Sequence, residues 1–427
     1  MTAHTSARPA ARGALGLMFD PVFGALFWGK MFSVVGVWTH GIVAAVVMYQ
    51  ATHSALMVGL VGVVQFAPQL ILSPTSGKWA DAGNPARQIL LGRVFCTVGS
   101  GSVAASLALV PDVAGGRAAA AVLGGTLLVG IGFVVGGPAM QSIVPSLIRP
   151  GELSTAMALN SIPMTVGRMI GPAIGAYLAA HLGSAAGFAV SAGLHLIFAI
   201  FLVLVRFPAP PERLAGADYR VRTALRYVWR DRPLLLALVA VTMVGFAADP
   251  SITLTPSVAD ALGGGTSLVG ALSAMFGIGA AVGMTALALL RGRVPAERVS
   301  SVGLWLLGGG CALLTVATVT ALALAGFAVA GLGFGWAMTG LSTVVQERAP
   351  DELRGRIMAL WLVGFLGSRP IAAALLGGMA DLVSVYAAFV VAAGATVATA
   401  LLCLPRRLSG PAVAPRLSGP GAATSAG

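Results

Sequence analysis

The sequence predicts an all-α polytopic membrane protein with twelve transmembrane helices, and three observations predict it. Hydrophobic residues make up 57% of the 427-residue chain and charged residues 9%, against about 25% charged in a soluble domain. Apolar runs of at least about 18 residues, each long enough to cross a bilayer as a helix, recur twelve times. The basic residues also fall on alternate sides of those runs. With the N-terminus assigned to the cytoplasm, 22 of the 26 Lys and Arg residues lie in cytoplasmic segments, Arg93 among them. One, Arg117, lies outside, and Lys30, Arg168 and Arg369 lie within spans. Such an asymmetry orients membrane proteins and places both termini in the cytoplasm.

The first run starts near Pro21 and reaches about Tyr49, too long for a secretory signal and so a retained helix. The remaining spans are centred on about 56–76, 88–110, 118–140, 156–180, 184–205, 234–258, 266–290, 299–319, 321–345, 357–380 and 384–404, the first on 22–48. Runs this uniform exclude alternating outer-membrane strands. The formal charge of +12 is therefore a topology signal with attraction to anionic lipid as a by-product, and no nucleic-acid partner is expected. Cys96, Cys311 and Cys403 lie in apolar segments without metal or redox spacing. They read as small apolar side chains, and neither metal nor cofactor is expected.

The polar segments divide the chain. Residues 1–20 form a cytoplasmic tail, 21–206 a first six-helix half, 207–233 a cytoplasmic linker, 234–404 a second six-helix half, and 405–427 a tail rich in Pro, Gly, Ser and Ala expected to be disordered. Within the linker, Leu225, Val228 and Trp229 recur at helical spacing among arginines, which predicts an amphipathic surface helix. The halves repeat one another. Gln141, Pro145, Met157 and Arg168 follow the fourth span, and Gln346, Pro350, Met358 and Arg369 follow the tenth. Two inverted or repeated six-helix units around a midplane site are a transporter architecture.

Gly77-Lys78-Trp79-Ala80-Asp81, with Arg87 downstream, resembles the loop signature that follows the second helix in the major facilitator superfamily. The resemblance implies a pseudo-symmetric twelve-helix fold and a latch formed by Gly77, Asp81 and Arg87 on the cytoplasmic side. Ala82 departs from the usual Arg of that signature, and Arg291 to Pro295 in the second half has no Asp. Gly167, Gly171, Pro172 and Gly175 in span five resemble the superfamily's antiporter motif, which implies export rather than import; ordinary close packing of helices is the alternative reading. The stretches Leu225–Pro233 and Gln346–Leu360 resemble the branch of bacterial enterobactin and other siderophore exporters, the transmembrane secretion effectors.

Charges inside the membrane cost about 2.5–3.5 kcal/mol each on insertion scales and mark functional candidates. Arg168 and Arg369 lie about 18 Å into their spans at 1.5 Å per residue, near the middle of a core about 30 Å thick. Each either binds an anionic substrate, pairs with Asp249, or serves as a structural cation. Asp249, followed by Pro250, is the one acid well inside a span and the candidate for proton coupling. Lys30 either snorkels to the interface or faces the cavity. His40 and His195 read as bonded core residues or as proton or substrate sites. Trp28, Trp38, Trp336 and Trp361 pack or stack on substrate. Span four lacks the arginine that proton antiporters of the superfamily usually carry there.

The resulting expectation is a proton-coupled exporter of a small amphipathic molecule (siderophore, drug or secondary metabolite), monomeric in the bacterial cytoplasmic membrane. An uptake symporter for a small organic solute is the alternative. The absence of His-Glu-x-x-His and Gly-x-Ser-x-Gly argues against a membrane enzyme, and the absence of a phosphate-binding loop against an ATP-driven pump.

Overall fold

The computed structural model describes residues 12–109, 115–149, 151–208, 221–290, 293–350 and 353–410. The described chain is helical almost throughout. Its elements are α1 (Ala14–Met18), α2 (Phe23–Thr52), α3 (Ala55–Ala82), α4 (Pro85–Leu109), α5 (Gly115–Ser142), α6 (Leu153–His181), α7 (Ser184–Leu204), α8 (Val221–Arg230), α9 (Arg232–Ala248), α10 (Pro250–Thr253), α11 (Thr255–Ala261), α12 (Gly265–Leu290), α13 (Ala296–Leu314), α14 (Thr320–Arg348), α15 (Arg354–Leu382), α16 (Val385–Leu402) and α17 (Pro405–Leu408).

Ten of these are long and apolar enough to cross a membrane. With α6 and α13, they make twelve long spans among the described residues, α9 to α11 counting as one that is interrupted. The interruptions follow from chemistry. Pro250 and Pro256 each lack an N–H and disturb the preceding turn, and the helix breaks at Asp249 and again at Leu254. Elsewhere polar caps set the starts: Ser54 accepts from the Met57 N–H at 3.1 Å and Ser384 from the Ala387 N–H at 3.1 Å. Gly183, at φ 85°, makes the tight turn from α6 to α7. Large apolar side chains such as Leu109, Leu204 and Leu289 project outward, the surface that lipid covers. The protein is a multi-pass membrane protein.

Two groups of helices are visible in the packing. In the first, α2 packs on α5, α6 and α7, and α4 on α5 and α7; in the second, α14 packs on α12 and α13, and α9 on α14, α15 and α16. α3 against α15 and α6 against α12 join the groups. These crossings are close backbone contacts. A side chain at Gly377 would meet the Ala55 carbonyl at 2.7 Å, and one at Gly277 the Met169 carbonyl at 2.5 Å.

At the end where α2 turns into α3, hydrogen bonds join the groups. The Tyr49 hydroxyl donates to Asp260 at 3.0 Å and the Gln50 amide to the Thr266 hydroxyl at 3.2 Å. Asp381, at the end of α15, accepts from the Ser54 hydroxyl at 2.5 Å and from the N–H groups of Ala55 and Leu56 at 2.7 and 3.0 Å. A carboxylate at a helix N-terminus is favoured by both the free N–H groups and the helix dipole.

At the opposite end, ion pairs tie each group to itself. Arg12 binds Asp20 and, with donor–acceptor distances of 2.6 to 2.9 Å, Glu152 at the start of α6. The Arg12 guanidinium pulls the Glu152 carboxyl down to about 2. In the second group, Arg348 at the end of α14 makes a two-pronged bond to Asp231, at 2.9 and 3.0 Å, just before α9. Each tie anchors the chain just before a group's first long helix.

Several expectations change. The Gly77–Asp81 signature lies in the last turns of α3, not in a loop, because the helix continues to Ala82. Among the described residues, nothing lies within 4 Å of a Cβ added at Gly77. Arg87 is exposed, and the side chains of Lys78 and Asp81 lie outside the described residues. Arg93 is no loop cation: α4 begins at Pro85, so Arg93 stands about two turns inside it and is 1% exposed. The tails also carry short helices, α1 and α17. The amphipathic helix forms as α8, but Ala224 and Val228 face the protein while Leu225 and Trp229 face outward.

Candidate functional site

The breaks in the seventh span bring Asp249 to the junction between the two groups. Arg369, on α15, donates through Nε to Asp249 Oδ1 at 3.4 Å, and the Thr253 hydroxyl donates to Oδ2 at 2.6 Å. Thr253 is placed by the helical turn that Pro250 starts. Both Asp249 and Arg369 are buried, at 2% and 1% exposure. Beside them a cavity of about 20 Å³ is bounded by Trp38, Gln65, Phe66, Asp249, Thr253 and Arg369. That is room for about one water molecule. Arg369 Nη1 has no hydrogen-bond partner among the described residues.

Arg168, on α6, reaches the same junction from the first group but pairs with no carboxylate among the described residues. Its guanidinium carbon lies 3.9 Å from the Phe334 ring centre, 5.1 Å from Trp38 and 5.3 Å from Phe365, within the range of cation–π attraction. Arg369 stands 5.2 Å from Trp38 and 4.9 Å from Phe66. One indole therefore neighbours both cations. The repeat-related arginines do converge on one place, and only one of them is paired with Asp249.

The other candidates lie in the packing of the first group. Lys30 neither snorkels nor opens to a cavity: it is 4% exposed, and its Nζ donates to the Asn160 carbonyl at 2.7 Å and to Asn160 Oδ1 at 2.9 Å. Asn160 in turn binds Gln141. His40 contacts the hydroxyls of Ser100 and Thr126, each at 3.0 Å. His195 contacts Ser33 at 3.0 Å, and Arg93 donates to the same hydroxyl. Both histidines are buried; His40 is bonded at both ring nitrogens, whereas His195 Nε2 has no partner among the described residues. Trp28 and Trp336 donate to the carbonyls of Met18 and Gly283, at 3.2 and 2.8 Å, which fixes them in the packing. Trp38 is the tryptophan beside the charges, and Trp361 stacks on Phe365 at 5.8 Å.

The span-five glycines press α6 onto α2. A Cβ at Gly167 would lie 2.7 Å from Val34, at Gly171 2.6 Å from Trp38, and at Gly175 2.6 Å from Ile42. Pro172 is accommodated within α6, and Thr39 donates across the seam to the Gly171 carbonyl at 3.0 Å. This seam carries Trp38 and Arg168, so it also sets their spacing.

Residues that sequence reasoning passed over include Gln65, Phe66, Phe334 and Phe365 around the charges, and Arg93 and Asn160 in the first group. Arg93 carried a signal, since Pro85 marks a helix start eight residues before it. The phenylalanines carried none, being ordinary in apolar spans.

The transmembrane secretion effector family model matches residues 13–414. The chain belongs to that family. It is 28% identical over 400 residues to the enterobactin exporter EntS of Salmonella choleraesuis, covering 91% of this chain and 92% of that one. It is also 28% identical to EntS of Shigella flexneri, over 85% and 86% of the two chains. Among solved structures, a D-xylose–proton symporter superposes with a TM-score of 0.74 at 13% identity, covering 92% of this chain and all of that one. A bacterial homologue of the lysosomal transporter Spinster superposes at 0.66 and 15% identity, over 92% and 96%. These establish the major facilitator fold, and the chain is a secondary transporter of that type and not an enzyme.

Proposed function

We propose that this transporter exports a small amphipathic molecule of the siderophore type from the bacterial cytoplasm, in exchange for protons. The observation that carries the reading is the buried Asp249–Arg369 pair where the helix groups meet. A carboxylate there, beside a water-sized cavity, can take up a proton and release its arginine as access alternates. The relatives named as enterobactin exporters, and the Gly167–Gly175 seam, support export over uptake. Residues 21–206 and 234–404 are the two rocking halves, 207–233 their linker, and both termini face the cytoplasm, in keeping with the basic segments. In that orientation, the bonds of Tyr49 and Asp381 close the outer face. The protein works as a monomer.

The test uses a host that makes enterobactin and lacks its own exporter. The wild-type protein should restore release to the medium, and Asp249→Asn should not. Uptake of a medium solute that depends on the protein, with no release, would reverse the direction. Full release by Asp249→Asn would remove that residue from coupling.

A further inference from the structure

We propose that α8 is a binding site for anionic phospholipid. Leu225 and Trp229 enter the leaflet, Arg226, Arg230 and Arg232 take the headgroup phosphates, and the bound lipid braces the second helix group through Asp231 and Arg348. Which leaflet this is follows from the orientation proposed above; the chemistry of the site does not depend on it.

The chain itself sets the depth of the helix. The span that contains α9 starts at Arg232, so Trp229 stands three residues before apolar helix begins, at the level where tryptophans meet lipid headgroups. Asp231 is extended, at φ −94° and ψ 92°, so α8 does not run on into α9. A short basic amphipathic helix that is broken from a span at its end is built to lie along the interface.

The faces of α8 are ordered for that position. Each residue turns the helix by about 100°. α8 packs on α9 and α15, and its buried positions are Ala224 and Val228, at 0% and 3% exposure. One step round lie Leu225 and Trp229, 40% and 69% exposed. One step further lie Arg226 and Arg230, both exposed. A helix with protein on one side, acyl chains on the next and phosphates on the third needs this sequence of faces.

Charge selects the lipid. Among the described residues, no carboxylate pairs with Arg226, Arg230 or Arg232. Asp231, between them in the chain, is buried and held by Arg348. Guanidinium forks match phosphate oxygens, and an anionic leaflet attracts basic segments beside a span. A zwitterionic leaflet offers no net charge to balance three cations.

The same segment is tied to the second group. The Tyr227 hydroxyl donates to the Arg348 carbonyl at 3.4 Å, and Arg348 also holds Asp231 and donates to the Gly410 carbonyl at 2.7 Å. Fixing α8 on a leaflet therefore fixes the start of α9, the end of α14 and the segment after α17 together.

The experiment places the purified full-length protein in nanodiscs of phosphatidylcholine, or of the same lipid with one molecule in three replaced by phosphatidylglycerol. Both faces then meet the same lipid, so the orientation of the protein does not enter. An NBD group on Leu225→Cys, the three native cysteines being buried, reports entry into the leaflet, and the thermal midpoint of the unlabelled protein reports bracing. Phosphatidylglycerol should raise NBD fluorescence at least twofold and the midpoint by several degrees, and salt should weaken the fluorescence response. Arg226→Gln with Arg230→Gln should abolish both responses and leave the protein in phosphatidylcholine unchanged, whereas lysine at both positions should keep most of each. If the glutamine variant does not fold, the lipid contrast and the salt series of the otherwise unaltered protein decide. Equal NBD fluorescence in the two lipids, or a response indifferent to the arginines and to salt, would overturn the site and leave the face to water or to a protein partner. A fluorescence rise without a midpoint rise would overturn the bracing. No transport is read, so neither failure touches the export reading.

Discussion

Asp249 and Arg369, 120 positions apart in the chain, meet at 3.4 Å with almost no exposure to solvent. Such a pair is weak evidence of net stability, since each ion gives up hydration to reach its partner, but losing one partner is costly. Asp249→Asn and Arg369→Gln should each lower stability by about 3–5 kcal/mol, the range for breaking a buried pair. The double variant should recover part of that loss. Thermal midpoints of the four proteins check it; additive losses would show that the two side chains act independently.

The seam of α6 on α2 gives a sharper contrast. At Gly171 a Cβ would fall 2.6 Å from Trp38 and 2.9 Å from the Val35 carbonyl. Gly171→Ala should cost about 1–3 kcal/mol, the usual penalty of overpacking. Gly77→Ala, with nothing among the described residues within 4 Å of the added Cβ, should be near neutral or slightly stabilising through the better helix propensity of Ala. Equal effects at the two sites would contradict the described packing.

Acid should act through Glu152. Its carboxyl is held at about 2 against an ordinary 4.5 by Arg12, so the folded state keeps it charged more strongly than the unfolded chain does. The stabilisation is fully present above about 4.5 and fades as pH falls toward 2. The gap in thermal midpoint between wild type and Glu152→Gln should therefore be constant near neutral pH and narrow below about pH 4.5. A gap that widens in acid would refute the pairing.

Asp381 offers a conformational test. It accepts three hydrogen bonds at the start of α3, and bonds to a charged group are worth about 1.5–3 kcal/mol. Asp381→Asn should let that end part more often. Val58, 2% exposed beneath the contact, becomes the reporter as Val58→Cys, the three native cysteines being buried. A water-soluble maleimide should label it several-fold faster in the Asp381→Asn background. An unchanged rate would mean that other contacts hold the end shut.

The long spans were legible because apolar length is nearly sufficient to define them. Arg168, Arg369 and Asp249 were legible because a charge in an apolar run is expensive enough to stand out. Which two of the three pair was not legible, since it depends on α10 and α15 crossing in space. Arg93 was misplaced by reading it with a loop when Pro85 had already started the helix. Lys30 resisted reading because its partner, Asn160, lies on α6 far along the chain and meets it only through packing. Asp381 sits at a span end, where acids are common, and nothing local tells that it reaches α3.

The α2–α6 seam also bears on how variants can be built. Three glycines of one helix fit the contour of the other residue by residue, so the two surfaces constitute a matched set. Chimeras with relatives at about 28% identity should be viable when both helices come from one parent. Swapping either alone would set foreign side chains against a contour shaped for others.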